Sequence, residues 1–357
     1  MKRLLALLAA AALVLAAVVV RGLIDSDGPS EPDSGAASSD GDGFQLICGP
    51  ELLAACNELA AEGRNIKVTS EDEQATVGRI AEGDLEPDGS WAWLAAGEWP
   101  EYARAGGADI PELPSSEILA RSPAVIVARS ERLGALENSC PAPDWGCIGG
   151  FAGETWESIG GEPSWGRVEV GLPEPDDGEG MVVVNQAVAS EVGTAEFATN
   201  DLDDPAVESW FDQLASESNA NATSTTPLAE FLRRPGSLSV VGATESEAVL
   251  LLDGAAAASS LTVLAPSPVA TADVRLFAGS DEALGSVLSV LEDADLTGAL
   301  LATGWRVPDG DGGYRLPSDA DSIGADMRSF DTALPESSGL PAPGVVSAVN
   351  TEWENIR

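Results

Sequence analysis

The chain opens on an uninterrupted apolar run, Leu4 to Val20, with Lys2 and Arg3 before it and Arg21 after it. Such a run is near the short end of a membrane-spanning helix, about 17–25 residues. The leading positive charges put the N-terminus inside and everything after Arg21 outside. Residues 1–23 read as an uncleaved signal anchor, and "LAA" before Val18 keeps a cleaved signal peptide open. No cysteine follows at the usual lipid-anchor position. From Ile24 to Gly43 the pattern turns to Asp, Ser, Gly and Pro with almost no apolar content, which predicts a disordered linker over 24–43.

From Phe44 apolar and polar positions alternate between two periods. "FQLIC" predicts a buried strand. "PELLAACNELAAEG" predicts a helix with proline in its first turn and glycine at its end. "NIKVTS" is a strand and "EDEQATVGRIAEG" an amphipathic helix, with Ser70 as a candidate N-cap. "LEPDGSWAWLA" is strand-like, and "SPAVIVARSERL" is a strongly apolar strand. Farther on, "TWESIGG" predicts a short helix, "GRVEVGL" a strand, and Gly178 to Val192 a helix. "DPAVESWFDQLASE" starts at a good cap, Asp204, with Pro205 in the first turn. "TPLAEFLRR" is a helix, "SLSVVGAT" a strand and "ESEAVLLLDG" a helix. "SLTVLAPSPVATADVRLFAG" reads as strand, proline corner, strand. Two helices and a C-terminal helix, Pro343 to Ile356, complete the chain. Strand–helix alternation of this kind predicts an α/β fold with a largely parallel sheet.

Composition narrows the possible functions. The chain has 357 residues, 18 Lys+Arg against 59 Asp+Glu, a net charge of −41 and no histidine. Such a surface repels nucleic acid and anionic lipid, so no nucleic-acid partner is expected. Salt adaptation accounts for the charge without any ligand, and attraction of cationic ligands is the functional alternative. Without histidine there is no Ser-His-Asp or Cys-His arrangement. P-loop, G-x-G-x-x-G and G-x-S-x-G motifs are also missing, so neither an enzyme nor a cofactor is expected. The four cysteines form two close pairs, Cys48 with Cys56 and Cys140 with Cys147, read as local disulfides in an oxidising compartment. Neither pair has metal-ligand spacing, so no metal site is expected.

The order of these phrases resembles the extracellular solute-binding proteins of ABC transporters, in the type II periplasmic-binding-protein fold. "SPAVIVARSERL" resembles the strand that crosses between the lobes. "TWESIGG…WGRVEVGLPEPDDGEG" resembles the helix, strand and ligand loop of the second lobe. "SLSVVGATESEAV" resembles the strand and helix facing the cleft, and "LTVLAPSPVATADVRLFAGSDEALGSVLSVLEDADLTGALLATGWR" the return to the first lobe, with Gly304 and Arg306 at its expected ending. The resemblance implies a two-lobed α/β monomer with a ligand cleft, residues 44–130 and 262–357 forming lobe 1 and 131–261 lobe 2. It is nearest the branch that binds oxyanions, and it implies a small polar solute and an ABC permease as partners. A membrane-tethered sensor or interaction protein of the cell envelope is the alternative.

Ligands in open α/β sheets sit at the carboxyl ends of strands, and helix N-termini supply N–H donors for anions. The candidate ligand-binding residues are therefore Cys48, Gly49, Ser70, Asp88, Ser90, Trp91, Pro173, Asp176, Gly178, Gly242 and Thr244. In the loop Pro173 to Gly180, Asp176 and Asp177 are read first as helix caps, with a facing cationic ligand as the alternative. A cationic or neutral ligand would instead recruit Asp88, Asp176 or Trp91. Trp91, Trp93, Trp99, Trp145, Trp156 and Trp165 are read first as core.

Overall fold

The computed structural model describes residues 44–61, 66–86, 90–222, 226–234, 236–317, 325–328, 334 and 339–356. The expected anchor and linker, and Asp88, lie outside these. Among the described residues no helix is long and apolar enough to cross a membrane.

One half-sheet is built on β1 (Phe44–Cys48), β2 (Ile66–Ser70) and β3 (Trp91–Ala96). They run parallel, with Cys48 opposite both Ser70 and Leu94, so their carboxyl ends are level. Strand β4 (Ala120–Arg129) then serves two half-sheets. Its Ala120–Pro123 portion pairs antiparallel with β8 (Thr271–Ala278), which in turn pairs with β3. Its later residues pair with β6 (Val240–Thr244) on one side and β7 (Leu261–Leu264) on the other. Six consecutive β4 residues, Ala124 to Arg129, sit in this second half-sheet, and both faces of the strand are covered. That explains the continuous apolar run, since a strand buried on both faces shows no alternation. The run "SPAVIVARSERL" nevertheless divides at Ser130, where a helix begins.

The second half-sheet also holds β5 (Val170–Gly171), parallel to β6, and β11 (Asp326–Arg328), parallel to β7. Strands β9 (Val307–Pro308) and β10 (Tyr314–Arg315) form a separate hairpin. The lobe boundary expected at 261/262 falls inside β7, whose partner is the second half of β4. Strand β5 is shorter than its pattern predicts. Residues 167 and 168 bond instead to the 153–155 loop, through Gly153 N–H to Val168 O and Val168 N–H to Glu154 O.

The helices, numbered in chain order, are α1 (Leu53–Ala61), α2 (Glu73–Glu82), α3 (Trp99–Ala105), α4 (Ser130–Ser139), α5 (Trp145–Gly149), α6 (Gly178–Val192), α7 (Thr199–Leu202), α8 (Pro205–Ala220), α9 (Pro227–Arg233), α10 (Glu245–Leu252), α11 (Asp281–Asp293), α12 (Leu296–Ala302) and α13 (Pro343–Ile356). Helix α13 packs against α3 on one side and against α6 and α8 on the other, so the C-terminal segment touches elements flanking both half-sheets.

Both expected disulfides form. Cys48–Cys56 ties the end of β1 to α1, and Cys140–Cys147 joins the end of α4 to α5. Trp91, Trp93, Trp99, Trp145 and Trp156 are buried. Trp165 is half-buried and edge-on to Trp156, with ring centroids 5.6 Å apart. The Arg132 guanidinium lies 5.4 Å from the Trp156 ring and 5.7 Å from Trp165, and donates to Ser239 Oγ at 2.7 Å.

Candidate functional site

Four strand ends deliver four helix starts to one place. After β1, Gly49 leads into a 3-10 turn, Pro50–Leu52, which carries Glu51. After β2, Asp72 caps α2 by accepting from Ala75 N–H at 2.7 Å, and Glu73 is the first helical residue. After β5, the loop through Pro173 ends at Asp177, which caps α6 by accepting from Gly180 N–H at 2.6 Å; Glu179 follows. After β6, Thr244 caps α10, followed by Glu245, Ser246 and Glu247.

Two glycines show how closely these ends meet. A Cβ on Gly49 would lie 2.2 Å from Glu73 Oε1 and 2.9 Å from each Glu51 carboxyl oxygen. A Cβ on Gly178 would lie 2.1 Å from the carbonyl of Ala96, at the end of β3, and 2.9 Å from Glu51 Oε1. The start of α6 therefore abuts the first half-sheet with no room for a side chain. The hydroxyls of Thr244 and Ser246 both donate to Glu179 Oε1. Ser246 N–H donates to Ser122 Oγ at 2.9 Å, which anchors α10 to the crossing strand.

The electrostatics of this crevice are those of five carboxyls with no ion-pair partner among the described residues. Glu51, Glu73, Asp177, Glu179 and Glu247 all act on one another or on Asp177. Two like charges 5 Å apart repel by about 3 kcal/mol at an effective dielectric of 20. Burial is the main cause of the resulting shifts, and neighbouring carboxylates add to it. Glu73 is raised to about 8 by burial and then by Asp177. Glu247 is raised to about 7 by burial, against a hydrogen bond from Thr226 that lowers it. Burial also takes Asp177 to about 6, although the bond from Gly180 N–H opposes it. Glu51 and Glu179 are both pushed well above the usual carboxylate range, by burial and then by Glu73 and Glu247 respectively. Glu73 is fully buried, and its carboxyl oxygens and those of Glu51 meet no donor beyond each other and their own backbone N–H groups.

Other buried acids behave differently. Glu245 meets Arg306, which is 1 % exposed, at 2.8 Å, with a second contact at 3.1 Å. Asp273 is paired with Arg121 at 3.1 Å, and Glu230 with Arg233 and Arg234. Among the described residues, no three His, Cys, Asp or Glu side chains are disposed to hold one metal ion. Beside the crevice opens a groove of about 380 Å³, lined in part by Pro173, Glu174, Asp176, Asp177, Thr226 and Glu230.

Gly49, Gly178 and Thr244 thus meet at the crevice, while Pro173 and Asp176 line the adjoining groove. Cys48 is committed to its disulfide. Ser70 is exposed at the end of β2, and the cap of α2 is Asp72 instead, because the helix begins two residues later than its pattern suggested. Ser90 and Trp91 stand at the start of β3, where Ser90 O accepts from Gln45 N–H, at the opposite end of the strand from Ala96. Trp91 is buried, and its indole donates to Glu86 O at 2.7 Å. Gly242 lies within β6, and a Cβ there would come 2.5 Å from Val183 Cγ1, so the residue serves packing of α6 on the sheet. Sequence reasoning missed Glu73, Glu179 and Glu247, and read Asp177 first as a cap, with a cationic ligand as its alternative partner. Acids in a first helical turn ordinarily offset the helix dipole in solvent, so these did not stand out among 59 acidic residues. The available signal was the recurrence of acids just after the ends of β1, β2, β5 and β6.

No protein-family model matches the chain, and no curated protein matches it by sequence. Solved structures do match. An ABC transporter structure from Clostridium perfringens is 9% identical, with 87% of this chain and 98% of that chain covered and a TM-score of 0.53. The apo ferric ion-binding protein A of Pasteurella haemolytica is 10% identical, with 88% and 96% covered and a TM-score of 0.50. A periplasmic binding protein of Actinobacillus pleuropneumoniae, solved with fructose-6-phosphate, is 13% identical over 88% and 96%, with a TM-score of 0.49. At these identities the likeness concerns the fold alone: this chain shares a mixed α/β architecture with the Clostridium and Pasteurella proteins.

Proposed function

We propose that this chain is the extracellular solute-binding component of an ABC-type importer, a monomer that captures a small polar solute and presents it to a permease. The observation that carries this reading is the convergence of four helix starts from two half-sheets, with Gly178 of the second against Ala96 and Glu51 of the first. The lobes in this account are the two half-sheets with their helices, joined through β4 and through the connection from β7 to β8. Their approach at Gly178 corresponds to the closed cleft. The N-terminal positive charges and the two disulfides support an extracellular body held at the membrane. The chain has no histidine, and the crevice hydroxyls of Thr244 and Ser246 are held as supports of Glu179, so binding is favoured over catalysis.

The chemistry of the crevice disfavours an oxyanion. Several of its helix-start N–H groups are already taken: Ala75 N–H by Asp72, Gly180 N–H by Asp177, Glu247 N–H by Thr244 and Ser246 N–H by Ser122. An anion entering would also face five acids. A thermal-shift screen of the full-length chain in mild detergent tests the proposal, using sugars, amino acids, amines and oxyanions. A saturable shift with one chemical class, lost in Gly178→Val, is the expected result. A folded chain that responds to none of them would overturn it.

A further inference from the structure

Two sets stand out among the buried and half-buried acids. Glu245, Asp273 and Glu230 each face an arginine. Glu51, Glu73, Asp177, Glu179 and Glu247 face none: no ion pair among the described residues includes any of them, and no arginine or lysine appears among the main influences on their ionisation. The unpaired set is confined to the crevice. Buried charge is tolerated only when it is paired or neutralised. In a protein built to close on a solute, the missing partner is best supplied by that solute.

The oxygens left without donors indicate where it would sit. Both oxygens of Glu51 and both of Glu73 are buried and meet no donor beyond each other and their own backbone N–H groups, Oε1 of Glu247 is buried and unbonded, and Glu73 is 0 % exposed. Glu51 and Glu73 come from the first half-sheet, Glu179 and Glu247 from the second, and Asp177 acts on all four. The negative charge is therefore extended. Since no three of these side chains are disposed around one metal position, a single point ion would leave part of it uncompensated. The adjoining groove continues the same polarity through Glu174, Asp176 and Asp177, and no lysine or arginine lines it.

We propose that the solute is an elongated organic cation with two or more ammonium groups, clasped between Glu51 and Glu73 at one end and Glu179 and Glu247 at the other, with Asp177 between them. This rests on the solute-binding reading and narrows it to one class of ligand. An ammonium group offers three donors and a positive charge, which is what the unbonded oxygens lack. The hydroxyls of Thr244 and Ser246 hold Glu179 in place, so one side of the clasp is oriented before the ligand arrives.

The test is calorimetric titration of the full-length chain in mild detergent, freed of any co-purifying solute by partial unfolding and dialysis. The probes are 1,4-diaminobutane, spermidine, calcium chloride, sodium sulfate, sodium molybdate and glucose. Saturable binding of a diamine or triamine is expected, with sulfate and molybdate inert. Glu73→Gln and Glu179→Gln should each weaken it about tenfold or more, as loss of a charged hydrogen bond does. If sulfate, molybdate or glucose binds and the amines do not, solute binding stands and the cation inference falls. If calcium binds and the amines do not, the site belongs to a metal and the inference also falls. If no probe binds, and the broader solute screen is silent as well, both readings fail together. Amine binding that survives both substitutions unchanged would overturn the assignment of these residues.

Discussion

Replacing Glu73 with glutamine should stabilise the ligand-free protein at alkaline pH. Glu73 is fully buried, meets no donor beyond Glu51 and its own backbone N–H, and is raised from 4.5 to about 8. Between those values the folded protein holds a proton that the unfolded chain has lost. Stability should therefore be unaffected by this group below about 4.5, fall as pH rises toward 8, and carry the full cost above it. At 1.36 kcal/mol per pH unit, the upper bound is roughly 4–5 kcal/mol. Opening of the cleft to water relieves part of this, leaving about 1–3 kcal/mol. The glutamine keeps the shape, removes the charge, and offers an amide N–H to Glu51. Urea unfolding of wild type and Glu73→Gln at pH 5.5 and pH 8.5, without ligand, is the assay. The wild type should lose stability with rising pH and the variant should lose less, their difference small at pH 5.5 and several times larger at pH 8.5. A wild type equally stable at both pH values, with the variant destabilised at both, would refute the placement of an uncompensated carboxyl here.

Gly178→Ala should reduce solute affinity about tenfold by wedging α6 away from Ala96 and Glu51, and the scattering profile of the liganded variant should remain that of an opened form. Gly242→Ala should instead lower unfolding stability by about 1–3 kcal/mol, because its Cβ meets Val183, while affinity stays within twofold. Arg306→Met should cost about 3–5 kcal/mol by leaving Glu245 buried without its partner, and adding Glu245→Gln should restore most of it in the same urea assay. Replacing Cys48 and Cys56 together by serine should cost about 2–3 kcal/mol, the entropy of opening so short a loop.

The fold was legible because period and punctuation agreed along most of the body. The helices from Gly178, Pro205, Pro227 and Pro343 begin where glycine, proline and cap residues put them. The apolar run of β4 signalled a strand buried on both faces, which is what a strand shared by two half-sheets requires. The site was only partly legible. Gly49, Gly178 and Thr244 follow from the rule that ligands sit at strand carboxyl ends. Ser90 failed by the same rule, because "LEPDGSWAWLA" hides where its strand begins: Trp91 opens β3, so Ser90 belongs to the other end. The acids failed for another reason. Sequence shows that Glu73, Glu179 and Glu247 each lie in a first helical turn, but only the packing of one half-sheet against the other removes them from solvent. Their chemistry is a tertiary property, and local pattern does not carry it.

The measurement that tests the central claim most directly is the proton balance of ligand binding. Near pH 7 the ligand-free crevice retains protons on its raised carboxyls, Glu73 at about 8 and Glu247 at about 7. A cation seated among them favours the ionised forms and expels those protons. Titration of the diamine at pH 7 in two buffers of different ionisation enthalpy reads this number from the difference in heat. Net proton release that shrinks as the pH is raised toward 9 is the predicted result. Proton uptake on binding, or a heat independent of the buffer at pH 7, would contradict the account.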